Sequence, residues 1–191
     1  MTRLFLIRHG ETEWSRSGQH TSVTDLPLTP RGEEQARSLI GHLDPRRFQL
    51  ILTSPRQRAW RTAELAGFTG EFKPQVDEDL VEWSYGDYEG KTSDQIQEST
   101  PDWTIWTHLA PGGETAEEVR VRLDRVVARV RKSGAEQAIC FAHGHSLRAL
   151  TLRWLGFDLA LGGHFPLDTG TVSVLGEAKA IPALEKWNAE V

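Results

Sequence analysis

The sequence predicts an α/β fold, a three-layer sandwich in which a mostly parallel central sheet is flanked by helices. Three observations predict it. Near-continuous apolar runs at residues 4–7, 50–53 and 138–142 read as strands buried on both faces, as in parallel sheets. The segments between them carry helical start signals and helical periodicity, so strands alternate with helices. The first and last of these runs each end in a histidine followed by a glycine, His9-Gly10 and His143-Gly144. The carboxyl ends of strands are where α/β sheets place ligands.

Each element can be justified in turn. Residues 2–8 form the first strand. Thr29 as N-cap, with Pro30 at the first helical position, opens a helix to about residue 43. After the strand at 50–53, Ser54-Pro55 repeats the cap-plus-proline start for a helix to about residue 66. Residues 70–90 read as irregular and end in the loop signature Gly86-Asp87-Tyr88-Glu89-Gly90. A short helix follows from Ser93. Pro111-Gly112-Gly113 then breaks the chain before a long helix at 115–132, where Val119, Leu123, Val126, Val127 and Val130 recur at helical spacing. A strand at 137–142, a helix at 145–155 and strands near 171–176 and 181–186 complete the series. With no repeat, low-complexity tract or linker, residues 1–191 are expected to form one domain.

Composition narrows the function classes. The chain has 191 residues, 38% hydrophobic and 26% charged, which reads as soluble and globular. No apolar run approaches the ~20 residues that a membrane helix needs. The first residues read as a strand rather than a signal peptide, so a cytoplasmic location is expected. A net charge of −5 argues against nucleic acid as a partner. The single cysteine, Cys140, permits no internal disulfide and sits mid-strand, where a small buried core residue is expected. No heptad or apolar stripe fixes an oligomeric state.

Four positions stand out for chemistry: Arg8-His9, Arg58, Glu82 and His143. Arg58 falls in the first turns of a helix, where free N–H groups and the dipole already favour an anion. Two arginines, two histidines and a helix N-terminus on one spot would trap an oxyanion such as a phosphoryl group. Glu82, beside aromatic residues, is the candidate proton donor for the leaving group. A neutral imidazole can attack phosphorus directly, giving covalent catalysis. Each residue also has an ordinary reading: a structural histidine, a helix-surface arginine, a solvated carboxylate. Only the joint pattern argues for function.

That pattern resembles the histidine phosphatase superfamily, also called the phosphoglycerate mutase-like fold. The resemblance spans essentially the whole chain and rests on four ordered motifs. These are Arg8-His9-Gly10-Glu11-Thr12; Ser54-Pro55-Arg56-Gln57-Arg58-Ala59 with Thr62-Ala63-Glu64; Glu82-Trp83-Ser84-Tyr85-Gly86; and Ala142-His143-Gly144-His145-Ser146-Leu147-Arg148. The resemblance implies His9 as nucleophile, Glu82 as proton donor, and Arg8, Arg58 and a protonated His143 holding the phosphoryl group. It implies no metal and no cofactor, and no His/Asp cluster at ligand spacing suggests one.

Within the superfamily, the stretches at 14–21, 25–29 and 82–90 resemble the sedoheptulose-1,7-bisphosphatase and actinobacterial acid phosphatase branch. Trp14 is followed by Ser15, where mutases carry Asn, and residues 91–114 hold no basic pair to grip a substrate carboxylate. The implied activity is hydrolysis of small phosphate monoesters, sugar bisphosphates among them. A bisphosphoglycerate-dependent phosphoglycerate mutase and a non-catalytic phospho-ligand binding module are the alternatives. Ser15, Gln19, Thr21 and the backbone N–H of His145 are candidate substrate contacts. Trp83 and Tyr85 are expected near the rim. Arg148 is expected either at a distal phosphate or in a salt bridge, and Trp103, Trp106 and Trp154 in the core.

Overall fold

The structure, a computed structural model, describes residues 2–190. One six-stranded sheet organises it. In chain order the strands are β1 (Arg3–Arg8), β2 (Leu50–Thr53), β3 (Gln75–Val76), β4 (Gln137–Ala142), β5 (Val172–Ala178) and β6 (Ile181–Ala189). The helices are α1 (Glu13–Ser17), α2 (Pro30–Ser38), α3 (Gln57–Leu65), α4 (Ser93–Gln97), α5 (Ala116–Lys132) and α6 (Gly144–Leu155).

Spatial order is β3-β2-β4-β1-β5-β6. β3, β2, β4 and β1 run parallel, whereas β5 is antiparallel to β1 and β6 antiparallel to β5. The apolar runs are buried as expected: Leu4, Leu6, Ile7, Leu52 and the whole of Ala138–Ala142 are inaccessible to solvent. One core cluster lies under α5 and α6, joining Val119, Leu123, Val126 and Val130 to Leu147 and Trp154. A second, on the opposite sheet face, gathers Leu39, Phe48, Ala63, Phe68 and Phe141. Cys140 is fully buried in the first cluster, and burial pushes its thiol up.

Several element boundaries differ from expectation. Thr29 caps α2 by accepting from the Gly32 N–H (3.1 Å), but α2 stops at Ser38 rather than near residue 43. Gly41 (φ 88°) then turns the chain, while Leu39 and Leu43 stay buried outside the helix. Ser54 is not the cap of α3: Arg56 holds that position, and Asp25 caps from a distance by accepting from the Gln57 N–H (2.9 Å). The two-residue β3 and the short α1 went unforeseen, as did several short 3-10 turns such as Leu159–His164.

The β5–β6 hairpin turns through Lys179 (φ 51°) and Ala180 (φ 64°), both left-handed. Left-handed backbone at two consecutive turn residues suits Asn-Gly far better than Lys-Ala. Replacing Lys179-Ala180 by Asn-Gly is therefore expected to stabilise the protein by about 1 kcal/mol. Chemical denaturation checks this; an unchanged or lower midpoint would count against the turn assignment.

Candidate active site

Three neighbouring parallel strands end together. Arg8 pairs with Ala142 and Thr53 with Phe141, so the next residue of each strand emerges at one edge of the sheet. The ladder continues one step further, with His9 N–H donating to Ala142 O (3.0 Å) and Ser54 N–H to Phe141 O (2.9 Å). This sets His9, His143 and Ser54 side by side. The His9 and His143 rings lie 5.3 Å apart, centroid to centroid.

His9 is held in one tautomer. Its Nδ1 is 2.7 Å from the Gly10 carbonyl, an acceptor, so Nδ1 carries the proton and Nε2 keeps its lone pair. Burial, with Arg58 and Arg8 close by, pushes His9 well below the ordinary imidazole value. The ring is neutral and its free nitrogen is nucleophilic. Gly10 is required here, since a Cβ on it would lie 2.1 Å from the Gly32 carbonyl oxygen of α2. The Gly10 N–H is in turn held by Thr62 Oγ1 (3.0 Å) from α3.

His143 departs from the protonated ring expected. Arg58 Nε donates to its Nδ1 (3.1 Å), so the single ring proton lies on Nε2 and points to Ser54 Oγ (2.7 Å). Burial and the charge of Arg58 push the ring well below the ordinary value, so His143 is neutral. Ser54, expected as a helix cap, instead fixes this histidine. Arg58 is fully buried and spends its remaining donors on the carbonyls of Thr21, Ser22 and Thr24. It braces the 21–24 loop and His143 from behind.

A cavity of about 160 Å³ opens over His9, lined also by Arg8, Thr12, Ser15, Gln19, His20, Thr21, Glu82, Tyr85 and His145. Arg8 gives one terminal N–H to the Leu167 carbonyl, while its buried Nε has no partner among the described residues. An orphan N–H of a cation beside a cavity is a natural anion contact. Gly144 lies against this guanidinium; a Cβ there would sit 3.3 Å from Arg8 Cζ.

The Glu82 carboxylate is held by main-chain N–H groups. Its Oε1 accepts from the N–H groups of Trp83 (2.9 Å) and Ser146 (2.7 Å), and its Oε2 from His145 (3.0 Å). The carboxylate thus caps α6, whose own N-cap residue, His143, makes no side-chain cap bond. The segment behind it is anchored by Arg122, which donates to the carbonyls of Asp79 and Val81 and pairs with Glu114 at 2.7 Å.

The substrate contacts expected from sequence divide. Ser15, Gln19 and Thr21 line the cavity. The His145 N–H does not reach it, being taken by Glu82, although the His145 side chain does line it. Trp83 is buried with Nε1 on the Glu114 carbonyl, so it is core rather than rim. Tyr85 lines the cavity, its hydroxyl 2.6 Å from His145 Nδ1. Arg148 makes no salt bridge among the described residues; it donates to the Gly162 carbonyl and covers the Trp106 ring at 4.7 Å. Trp103, Trp106 and Trp154 are buried as expected. Sequence reasoning missed His20 as a lining residue and Ser54 as the partner of His143. Ser54 carried the signal, since it follows a strand end just as His9 and His143 do.

Against this geometry, the profile of the histidine phosphatase superfamily (branch 1) matches residues 4–190. The chain belongs to that superfamily. It is 42% identical over 181 residues to an acid phosphatase of Mycobacterium tuberculosis, covering 91% of this chain and 86% of that one. It is 38% identical over 186 residues to sedoheptulose 1,7-bisphosphatase of Saccharomyces cerevisiae, covering 82% and 69%. A solved M. tuberculosis protein superposes with a TM-score of 0.93 at 38% identity, covering 99% of this chain and 98% of its own. As a histidine phosphatase with phosphatase relatives, the chain is a phosphoric monoester hydrolase.

The neutral histidines have a cost in acid. His20 is held down to about 4 from an ordinary 6.5 by burial, and burial likewise pushes His9, His143 and His145 well below that ordinary value. Unfolded, each takes up a proton below about 6.5; folded, each stays neutral. Stability is therefore full above pH 6.5 and is lost as pH falls toward 4, each histidine contributing a slope of up to about 1.4 kcal/mol per pH unit. Thermal melts between pH 7.5 and 4.5 should show a steep fall below 6.5, shallower in His20→Gln. A flat profile would contradict the neutral assignments.

Proposed function

We propose that the chain hydrolyses small phosphate monoesters, sugar phosphates among them, through a phosphohistidine at His9. The observation that carries the proposal is the fixed His9 tautomer, which leaves a neutral Nε2 facing a cavity beside the unpartnered Nε of Arg8.

In the first half-reaction Nε2 bonds to phosphorus as the bond to the ester oxygen breaks. The departing alkoxide takes a proton from the Glu82 carboxyl. Arg8 offers its free N–H to a non-bridging oxygen, while the buried charge of Arg58, behind His9, stabilises the added negative charge and His143 keeps Arg58 in place. In the second, the Glu82 carboxylate takes a proton from water as its oxygen attacks phosphorus. The P–N bond breaks, inorganic phosphate leaves and His9 is neutral again. Ser15, Gln19 and Thr21 line the way to the phosphoryl position.

Rapid quenching during turnover of ³²P-labelled ester tests this reading. Acid-labile, base-stable label on the wild type, absent from His9→Ala, is the expected result. Turnover with no such label, or label retained in the variant, would refute it.

A further inference from the structure

A second hollow, about 220 Å³, adjoins the catalytic cavity, and the two share His20 and His145 as lining. Its other walls include Trp103 and Trp106, with Gln97 and Gly163 beside them, and among the described residues no Lys, Arg, Asp or Glu side chain lines it. Both shared histidines are neutral: burial holds His20 down to about 4 and pushes His145, beside the Tyr85 hydroxyl, well below the ordinary imidazole value. The hollow therefore carries no charge.

One of its walls nevertheless holds an unmet polar group. Trp103 is 1% exposed, and its indole N–H has no partner among the described residues. A buried donor of this kind calls for an acceptor. Trp106 is clamped in place, with the Arg148 guanidinium 4.7 Å from its ring centre and the Trp83 ring against it edge-on. Gly162 is pressed onto the Trp106 ring, where a Cβ would meet it at 2.2 Å, but Gly163 has room, its nearest contact lying at 3.8 Å.

The other groove bordering the catalytic cavity is unlike this one. It measures about 590 Å³, shares Arg8 and Ser15 with the catalytic cavity, and sets Glu11, Glu34, Asp168 and Glu190 around the lone additional cation Arg31. Four carboxylates make poor company for a second phosphate.

Resting on the phosphatase reading above, we propose that the Trp103–Trp106 hollow is the leaving-group subsite for an uncharged, ring-bearing polyol. The preferred substrate class is then a sugar monophosphate rather than a bisphosphate. An aromatic wall suits the C–H face of a sugar ring, and the Trp103 N–H supplies one donor for a hydroxyl or ring oxygen. No cation waits for a second phosphoryl group.

The test compares methyl phosphate, fructose 6-phosphate and fructose 1,6-bisphosphate on wild type, Gly163→Leu and Trp103→Phe. Wild type should favour fructose 6-phosphate over both others. Gly163→Leu, which fills the hollow from its edge, should lower kcat/KM for fructose 6-phosphate by about tenfold or more, mainly through KM. Trp103→Phe should lose about tenfold on the same substrate through the missing N–H. Methyl phosphate, too small to enter, should be turned over unchanged by both variants. Equal losses on methyl phosphate and fructose 6-phosphate, a wild-type preference for the bisphosphate, or one for methyl phosphate would each overturn the subsite. If methyl phosphate turnover and the phosphoenzyme persist, the phosphatase reading stands regardless. If wild type hydrolyses none of the three and no phosphoenzyme forms, that reading fails first.

Discussion

His9→Ala is expected to abolish hydrolysis of p-nitrophenyl phosphate, with kcat falling roughly 10⁴-fold or more. The size of the loss follows from the geometry. His9 Nε2 is the free lone pair of a ring locked through Nδ1 to Gly10. The neighbouring imidazole cannot replace it, since His143 has both nitrogens engaged, one by Arg58 and one by Ser54. The fold should survive, because the His9 main chain pairs with Ala142 whatever its side chain. Wild-type circular dichroism with background activity is the expected pair of observations. A purified variant that still hydrolysed p-nitrophenyl phosphate at the wild-type rate would remove His9 from the mechanism.

Glu82→Gln is expected to discriminate by leaving group. Alkyl phosphates, whose alkoxide needs a proton, should lose roughly 10²- to 10⁴-fold, and p-nitrophenyl phosphate far less. The same substitution should also loosen the protein. Both carboxylate oxygens accept main-chain N–H groups, so an amide must turn its NH₂ toward one of those donors. Leaving such a donor unmet costs about 1–3 kcal/mol. The two effects separate cleanly: melting temperature reports the lost cap of α6, and the slope of log kcat/KM against leaving-group acidity reports the lost acid. Equal loss across leaving groups would assign Glu82 to the scaffold alone.

Much of this was legible in the sequence because it depends on local pattern. Strands buried on both faces announce themselves as apolar runs, the 3.6-residue rhythm of Val119 through Val130 gives α5, and Thr29 caps α2 as the following Pro30 suggests. Arg8, His9 and Glu82, which line the cavity over His9, were legible from motif order. What escaped depends on partners distant in the chain. Ser54 reads as a cap until β2 and β4 are set side by side and His143 stands opposite it. Two of the hydrogen bonds that hold Glu82 come from the start of α6, 63 and 64 residues on, which its sequence neighbours do not show. Trp83 reads as rim but turns inward to the Glu114 carbonyl. The charge state of His143 is set by burial beside Arg58, which no spacing reveals.

The register of β1 against β4 has a consequence for how the enzyme comes into being. His9 leaves one strand and His143 the other, 134 residues later in the chain. Closing a loop of that length is slow, and its entropy must be met before any contact between the two strands repays it. A nascent or refolding chain can therefore form α5, and much of its helix content, while chemically inert. Recovery of activity after dilution from denaturant should trail the recovery of helical signal, making turnover a late clock for the closure of the central sheet.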